Sequence, residues 1–255
     1  MKHPSVLLYG IAAYEFAMAN LCYAIGFVGN FIVPKSIDVG GAAPWQQALL
    51  VDMALLSVFA VQHSVMARPA VKRLITRYIP KPMERSTYVL LAAAALTLLF
   101  WQWRPMPEIV WSAGNPAARQ ALYVLFWLGW LLVLLSTFLI NHAELFGLEQ
   151  VVDAAVGHER DEPAFRTPGL YKVVRHPLYL GLIVAFWATP DMTLGHLVFA
   201  AATTAYIFIG IAFEERDLVQ RFGERYRQYR REVRMLIPLP RRPDAPVELA
   251  DDRLR

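Results

Sequence analysis

Long uncharged runs alternate with short polar segments along this chain. Val6 to Val33 carries Glu15 as its only charge, and Trp45 to Met66 carries Asp52. Thr87 to Trp103 and Leu122 to Ile140 carry none. A bilayer core about 30 Å thick needs roughly 20 apolar residues per helix, so each run predicts a spanning helix. The fifth run, Leu178 to Phe213, is interrupted by Thr189-Pro190-Asp191 and by Gly195. Pro and Asp favour a turn there. The pattern predicts a hairpin: a short helix to about Ala188, then a longer one from about Leu194. The first arm is short for a full span, which points to a tilted helix or one packed inside protein. The expected fold is an all-α integral membrane protein of five to six transmembrane helices, with this hairpin at its C-terminal end.

The polar segments set the orientation. Arg68 to Arg85 holds Arg68, Lys72, Arg73, Arg77, Lys81 and Arg85, whereas Val28 to Pro44 holds only Lys35. Lys and Arg concentrate on the cytoplasmic side, so the basic loop and both termini are expected there. The same alternation brings Asn141 to His176 and Glu214 to Arg255 to that face, as a site for a water-soluble cofactor requires. Glu214, Leu218, Phe222, Tyr226, Tyr229 and Val233 fall within about 120° of arc at 100° per residue. They predict one cytoplasmic amphipathic helix continuing from the last span. Residues 1–240 are expected to form a single domain, with the cofactor-binding part at 141–238. Residues 241–255, rich in Pro, Asp and Arg, read as a mobile tail.

Composition agrees with a membrane protein. Hydrophobic residues make up 56%, charged residues 18%, and the mean hydropathy is +0.36. Soluble domains carry about 25% charge. The net charge of +4 does not point to nucleic acid, because the basic residues flank the spans. A single cysteine, Cys22, excludes an internal disulfide and predicts a packing role in its apolar helix. No small-residue cleavage site follows the first run, so that run reads as a retained span. His63 and His142 lie on different spans without clustered Cys, which argues against a metal site.

The chemistry concentrates around the hairpin. Pro177 suits the first position of a helix, and it pushes His176 out of the helical region. His176 and Arg175 therefore sit at a helix mouth, where free N–H groups and partial positive charge suit a carboxylate. Tyr179 lies one turn up, and Gly181 allows close approach of a helix or a ligand. A plain cytoplasmic anchor, with Arg175 on headgroups and Tyr179 in the aromatic belt, explains this segment equally well. Glu214 and Glu215, adjacent acids at the membrane boundary, tilt the balance. Either suits ribose hydroxyls or an amino group, or a structural pair with Arg175.

Together, Arg175-His176-Pro177, Tyr179, Gly181, Glu214-Glu215, Phe222-Gly223, Tyr226 and Tyr229 resemble the isoprenylcysteine carboxyl methyltransferase superfamily. The resemblance covers about a quarter of the chain. It implies an S-adenosyl-L-methionine site made by Arg175, His176, Pro177, Tyr179, Gly181, Glu214, Glu215 and Tyr226. No Gly-x-Gly-x-x-Gly occurs, so a Rossmann-type methyltransferase is not expected. Further segments extend the likeness over nearly the full length. They are Tyr23 to Asn30, Val33 to Asp38, Gln62-His63-Ser64, Glu84 to Tyr88 and Asn141 to Leu148. The chain is thereby similar to bacterial methanethiol S-methyltransferases and to NnrU-type membrane proteins. That resemblance implies methyl transfer to methanethiol, with hydrogen sulfide as a second acceptor, in the bacterial inner membrane and with no obligatory protein partner.

A small thiol needs a proton acceptor or a positive field, since the thiolate is the nucleophile. His63, near the cytoplasmic end of the second span, is one candidate, and His142, with Asn141 and Glu144, is another. A hydrogen-bonded core role competes for His63, and a helix-dipole role for His142. Glu15 and Asp52 lie deeper, where acids are usually paired or functional. Three rivals stay open: an isoprenylcysteine-type enzyme, an NADPH-dependent reductase of the sterol type, and a non-enzymatic membrane protein.

Overall fold

The computed structural model describes residues 4–41, 43–158 and 165–238; the expected tail at 241–255 lies outside them. In chain order the helices are α1 (Pro4–Gly29), α2 (Trp45–Met66), α3 (Pro69–Ile75), α4 (Glu84–Gln102) and α5 (Pro116–Ile140). Then follow α6 (His142–Leu145), α7 (Leu148–Val156), α8 (Pro177–Trp187), α9 (Leu194–Phe222) and α10 (Glu224–Glu232). Two short strands, β1 (Ile109–Ser112) and β2 (Asp191–Thr193), complete the fold. Five of the helices, α1, α2, α4, α5 and α9, are long and apolar enough to cross a bilayer, and α8 is a shorter apolar helix. The protein is a multi-pass membrane protein.

Boundaries follow local chemistry. The α8–α9 break falls at the Thr189-Pro190-Asp191 interruption, and α2 has the expected ends. Helix α1 stops at Gly29, short of Val33, because Asn30 and Ile32 turn the chain at φ 58° and 68°. Helix α5 starts at Pro116, ahead of the expected Leu122. Asn115 caps it, accepting the N–H groups of Ala117 at 2.8 Å and Ala118 at 3.3 Å, with Pro116 at the first position. The single amphipathic helix expected after the last span is two helices. Gly223, at φ 58° and ψ −130°, takes a conformation that favours glycine and separates α9 from α10. Cys22 is exposed, facing away from the helix bundle, so the packing role expected for it does not hold.

The strands were not anticipated by the all-α reading. β1 and β2 pair antiparallel, with Trp111 opposite Met192 and Ser112 opposite Asp191. They tie the α4–α5 loop to the α8–α9 turn. Arg119 grips Asp191 through both guanidinium nitrogens, at 2.8 and 2.6 Å. That pair and the Ser112 hydroxyl hold the Asp191 carboxyl down at about 2. At the same end Thr193 Oγ1 donates to Asp38 at 2.5 Å, and Asp52 accepts the Arg104 N–H at 2.9 Å. At the opposite end Arg85 Nε donates to the Leu145 carbonyl at 2.8 Å, and Ser86 Oγ donates to that of Gly147 at 3.2 Å. The polar segments thus divide between two ends of the bundle, in the alternation the spans predict.

Helix α8 is held inside the protein. Its main neighbour is α5, and the two backbones touch. A Cβ placed on Gly181 would lie 2.7 Å from the Gly129 carbonyl and 2.9 Å from the Val133 nitrogen. One on Gly129 would lie 2.8 Å from the Gly181 carbonyl. Small residues at such crossings let membrane helices approach closely. Phe27, Phe100, Trp103, Trp130, Phe186 and Phe199 fill the adjoining core. Gly181→Ala therefore overpacks the crossing. It should cost about 1–3 kcal/mol and lower the thermal midpoint of the detergent-solubilised protein. An unchanged midpoint would contradict this packing.

Candidate functional site

The stretch before α8 and the stretch after α10 run side by side. Val174 and Arg234 form a parallel bridge, and the N–H groups of Arg175 and His176 donate to the carbonyls of Arg234 and Met235 at 2.8 and 3.1 Å. Between them lies a buried ionic knot. Glu215 Oε1 accepts from Arg175 Nε at 2.7 Å and meets His176 Nε2 at 3.1 Å. Its Oε2 pairs with Arg230 Nε at 3.0 Å. Arg175 also donates to the carbonyls of Arg230 and Val233 at 3.2 and 2.5 Å. The Arg175 and Glu215 side chains are 8% and 9% exposed. Buried charges persist only when partnered this fully. Of the roles the sequence left open for Glu215, the structure shows the pair with Arg175.

Glu214 is different. Neighbours on a helix point about 100° apart, so burying Glu215 turns Glu214 outward, and it is exposed. Its carboxylate lies 3.8 Å from His176 Nδ1 and faces the Tyr179 hydroxyl. The His176 and Tyr179 rings are 5.6 Å apart. His176, the residue ahead of α8, makes no side-chain cap bond to the first turn. Pro177 occupies the first position of α8 and is buried. Gly181 is consumed by its contact with α5. Tyr226 is buried as well, packed on Phe165 at 5.7 Å and Tyr229 at 5.7 Å. Tyr229 donates to the Tyr171 carbonyl at 2.6 Å. Burial pushes the Tyr226 phenol above its ordinary range and that of Tyr229 up to about 12.

A second group lies deeper, where α2, α4 and α9 meet. His63 Nε2 is 2.7 Å from the Tyr88 hydroxyl, and its ring stacks on Phe59 at 5.3 Å. Its Nδ1 is buried and has no hydrogen-bond partner among the described residues. Ser64 Oγ and Tyr206 OH are 3.0 Å apart. The Arg85 guanidinium covers the Tyr88 ring at 5.0 Å. Tyr179 lies within electrostatic reach of both Tyr88 and Tyr206, which joins this group to the Glu214 cluster. Tyr88 and Tyr206 were not singled out from sequence. Tyr88 follows Ser86-Thr87 and Tyr206 follows Thr203-Thr204-Ala205, and only packing turns these phenols toward His63 and Ser64.

The remaining candidates have structural partners. His142 Nδ1 meets Thr137 Oγ1 at 2.9 Å and Nε2 meets Tyr14 OH at 3.1 Å. Its ring stacks on Phe138 at 4.5 Å. Both nitrogens are engaged, and burial holds the imidazole below the ordinary histidine range. It links α1 to α5. Asn141 caps α6, accepting the Glu144 N–H at 3.2 Å and donating to Glu149 at 2.5 Å and Glu144 at 3.4 Å. Asp52 is tied to Arg104 at the opposite end of the bundle, and Glu15 is exposed.

The family described as NnrU protein matches residues 52–235. The chain is 55% identical over 242 residues to the methanethiol S-methyltransferase of Mycobacterium tuberculosis, covering 95% of this chain and 99% of that protein. It is 56% identical over 231 residues to methanethiol S-methyltransferase 1 of Bradyrhizobium diazoefficiens, covering 91% and 81%. It is 32% identical over 227 residues to nurim of Sus scrofa, covering 84% and 86%. No solved structure matches the chain.

The two adjacent glutamates should separate cleanly in stability. Glu215→Ala leaves Arg175 and His176 buried without their carboxylate and should cost about 3–5 kcal/mol. Glu214→Ala should change stability by less than about 0.5 kcal/mol. Thermal unfolding of the two variants checks this, and equal losses would contradict the assignment of the knot.

Proposed function

The chain belongs to the NnrU family, and from that premise we propose that it methylates methanethiol to dimethyl sulfide, using S-adenosyl-L-methionine. The high identity to methanethiol S-methyltransferases along more than nine-tenths of the chain favours a small thiol over a lipidated acceptor or a reductase substrate. The basic loop at Arg68 to Arg85 supports a cytoplasmic position for the Glu214 end and for both termini, in the bacterial inner membrane.

The residues fit such a donor. Glu214 is an exposed carboxylate beside otherwise neutralised partners, suited to ribose hydroxyls or an ammonium group. The uncapped first turn of α8 suits the methionyl carboxylate. Tyr179 and His176 border both. The knot around Glu215 acts one layer behind, fixing α9 against the mouth of α8. When bound, the donor supplies an electrophilic methyl group on a positively charged sulfur. The chain's part is to align an acceptor with it, because an in-line displacement depends on positioning. We place the small thiol acceptor beside the His63 imidazole, which Phe59 and Tyr88 flank, near Tyr179.

The observation that carries this reading is the outward turn of Glu214 beside Tyr179 and the α8 N-terminus, while Glu215 is consumed. Purified protein given S-adenosylmethionine and methanethiol should release dimethyl sulfide into the headspace. Glu214→Gln should keep the fold but weaken S-adenosylhomocysteine binding roughly tenfold or more, the scale of a lost charged hydrogen bond. Wild-type affinity in that variant would contradict the donor site.

A further inference from the structure

We infer that His63 meets the acceptor sulfur with an N–H group at Nδ1, and that Tyr88 is the positioning residue that puts the proton there. This rests on the acceptor position proposed above and adds the form in which the thiol is received there.

One contact sets the tautomer of His63. Tyr88 OH and His63 Nε2 are 2.7 Å apart, so one donates and the other accepts. Tyr88 is buried. The guanidinium of Arg85 on its ring face has only donors and cannot take the phenolic proton. His63 Nε2 is the acceptor offered to Tyr88 among the described residues. If Nε2 carried the hydrogen instead, the buried O–H would have no acceptor, an arrangement that folded proteins avoid. Tyr88 therefore donates, Nε2 accepts, and the neutral ring carries its proton on Nδ1.

That proton has nowhere to go within the chain, because Nδ1 is buried without a partner among the described residues. Phe59 packs on one ring face of His63 and restricts its rotation. An N–H held this way, out of water and with no competing acceptor among the described residues, suits a developing or full negative charge. It cannot remove a proton, since its lone pair on Nε2 is already used by Tyr88. The thiol is therefore bound as thiolate, and its proton is released to water at the cytoplasmic mouth. The sulfur lone pair forms the new bond to the methyl carbon. The bond from that carbon to the sulfonium breaks, and its electron pair stays on the donor sulfur. His63 keeps its proton throughout. Arg85, above the Tyr88 ring, adds a positive field that favours the thiolate.

The test uses full-length protein with two readouts. In 15N-histidine-labelled protein, with the His63 signal identified by its loss in His63→Asn, the wild type should show hydrogen on Nδ1. Tyr88→Phe, which keeps the ring under Arg85, should lose that preference. Its kcat/KM for methanethiol should fall about tenfold at every pH, with S-adenosylhomocysteine affinity unchanged. In the wild type, kcat/KM should keep rising above pH 7 toward the free thiol's own pKa, since that ratio reports the ionisation of free enzyme and free substrate. His63→Asn, whose amide N–H replaces Nδ1 but cannot take up a proton, should keep much more activity than His63→Ala, which should lose on the order of a hundredfold. Hydrogen on Nε2, a flat profile above pH 7, or equal losses in the two His63 variants would overturn the inference. Failure of the wild type to bind S-adenosylhomocysteine would count against the donor site instead and leave the tautomer result standing.

Discussion

One buried carboxylate holds the mouth of α8 to the last span. Glu215 gathers Arg175, His176 and Arg230, and through them joins the last span, the mouth of α8 and the segment after α10. Such a charge cluster is costly in a membrane protein, and here it sits at an end of the helix bundle, with Arg230 partly exposed and the rest enclosed by partners. Glu215 also decides what its neighbour does. A helix cannot bury two adjacent acids on one face, so the partnering of Glu215 turns Glu214 toward the open side. One acid is enclosed by partners, and the next faces the open side.

The bilayer imposes the rest of the layout. Spans of sufficient length, a backbone satisfied within helices, and polar loops sorted to two ends follow from solvent physics. That is why the spans and the hairpin break at Thr189-Pro190-Asp191 were legible in the pattern of apolar residues. The close contact of Gly129 with Gly181 explains how α8 can be shorter than a full span: it lies against α5 and α9 more than against lipid. The β1–β2 pairing escaped the reading because two very short strands leave no periodicity. The break at Gly223 escaped because a single glycine is tolerated within a helical pattern.

The candidate site was legible as a neighbourhood more than as a set of roles. The convergence of the Arg175-His176-Pro177 stretch with the Glu214-Glu215 pair was visible in the order of the segments and their side of the membrane. Which acid faces inward was not, because it depends on how α10 folds back over α9. The same holds for the two histidines. His63 and His142 look alike in sequence, each near the end of a span beside polar residues. The structure separates them by their partners: His142 spends both nitrogens on Thr137 and Tyr14, while His63 leaves one unclaimed among the described residues. Gly181 was expected to give room to a helix or a ligand, and its room is filled by helix.

A donor held by Glu214 and a small acceptor held by His63 would meet across Tyr179. A structure of the protein with S-adenosylhomocysteine bound tests that arrangement most directly. The account predicts the ligand's ribose or amino group on Glu214, its carboxylate at the first turn of α8, and its sulfur turned toward His63 Nδ1. A ligand seated with its sulfur facing away from His63, or bound at the Asp52 end of the bundle, would contradict it.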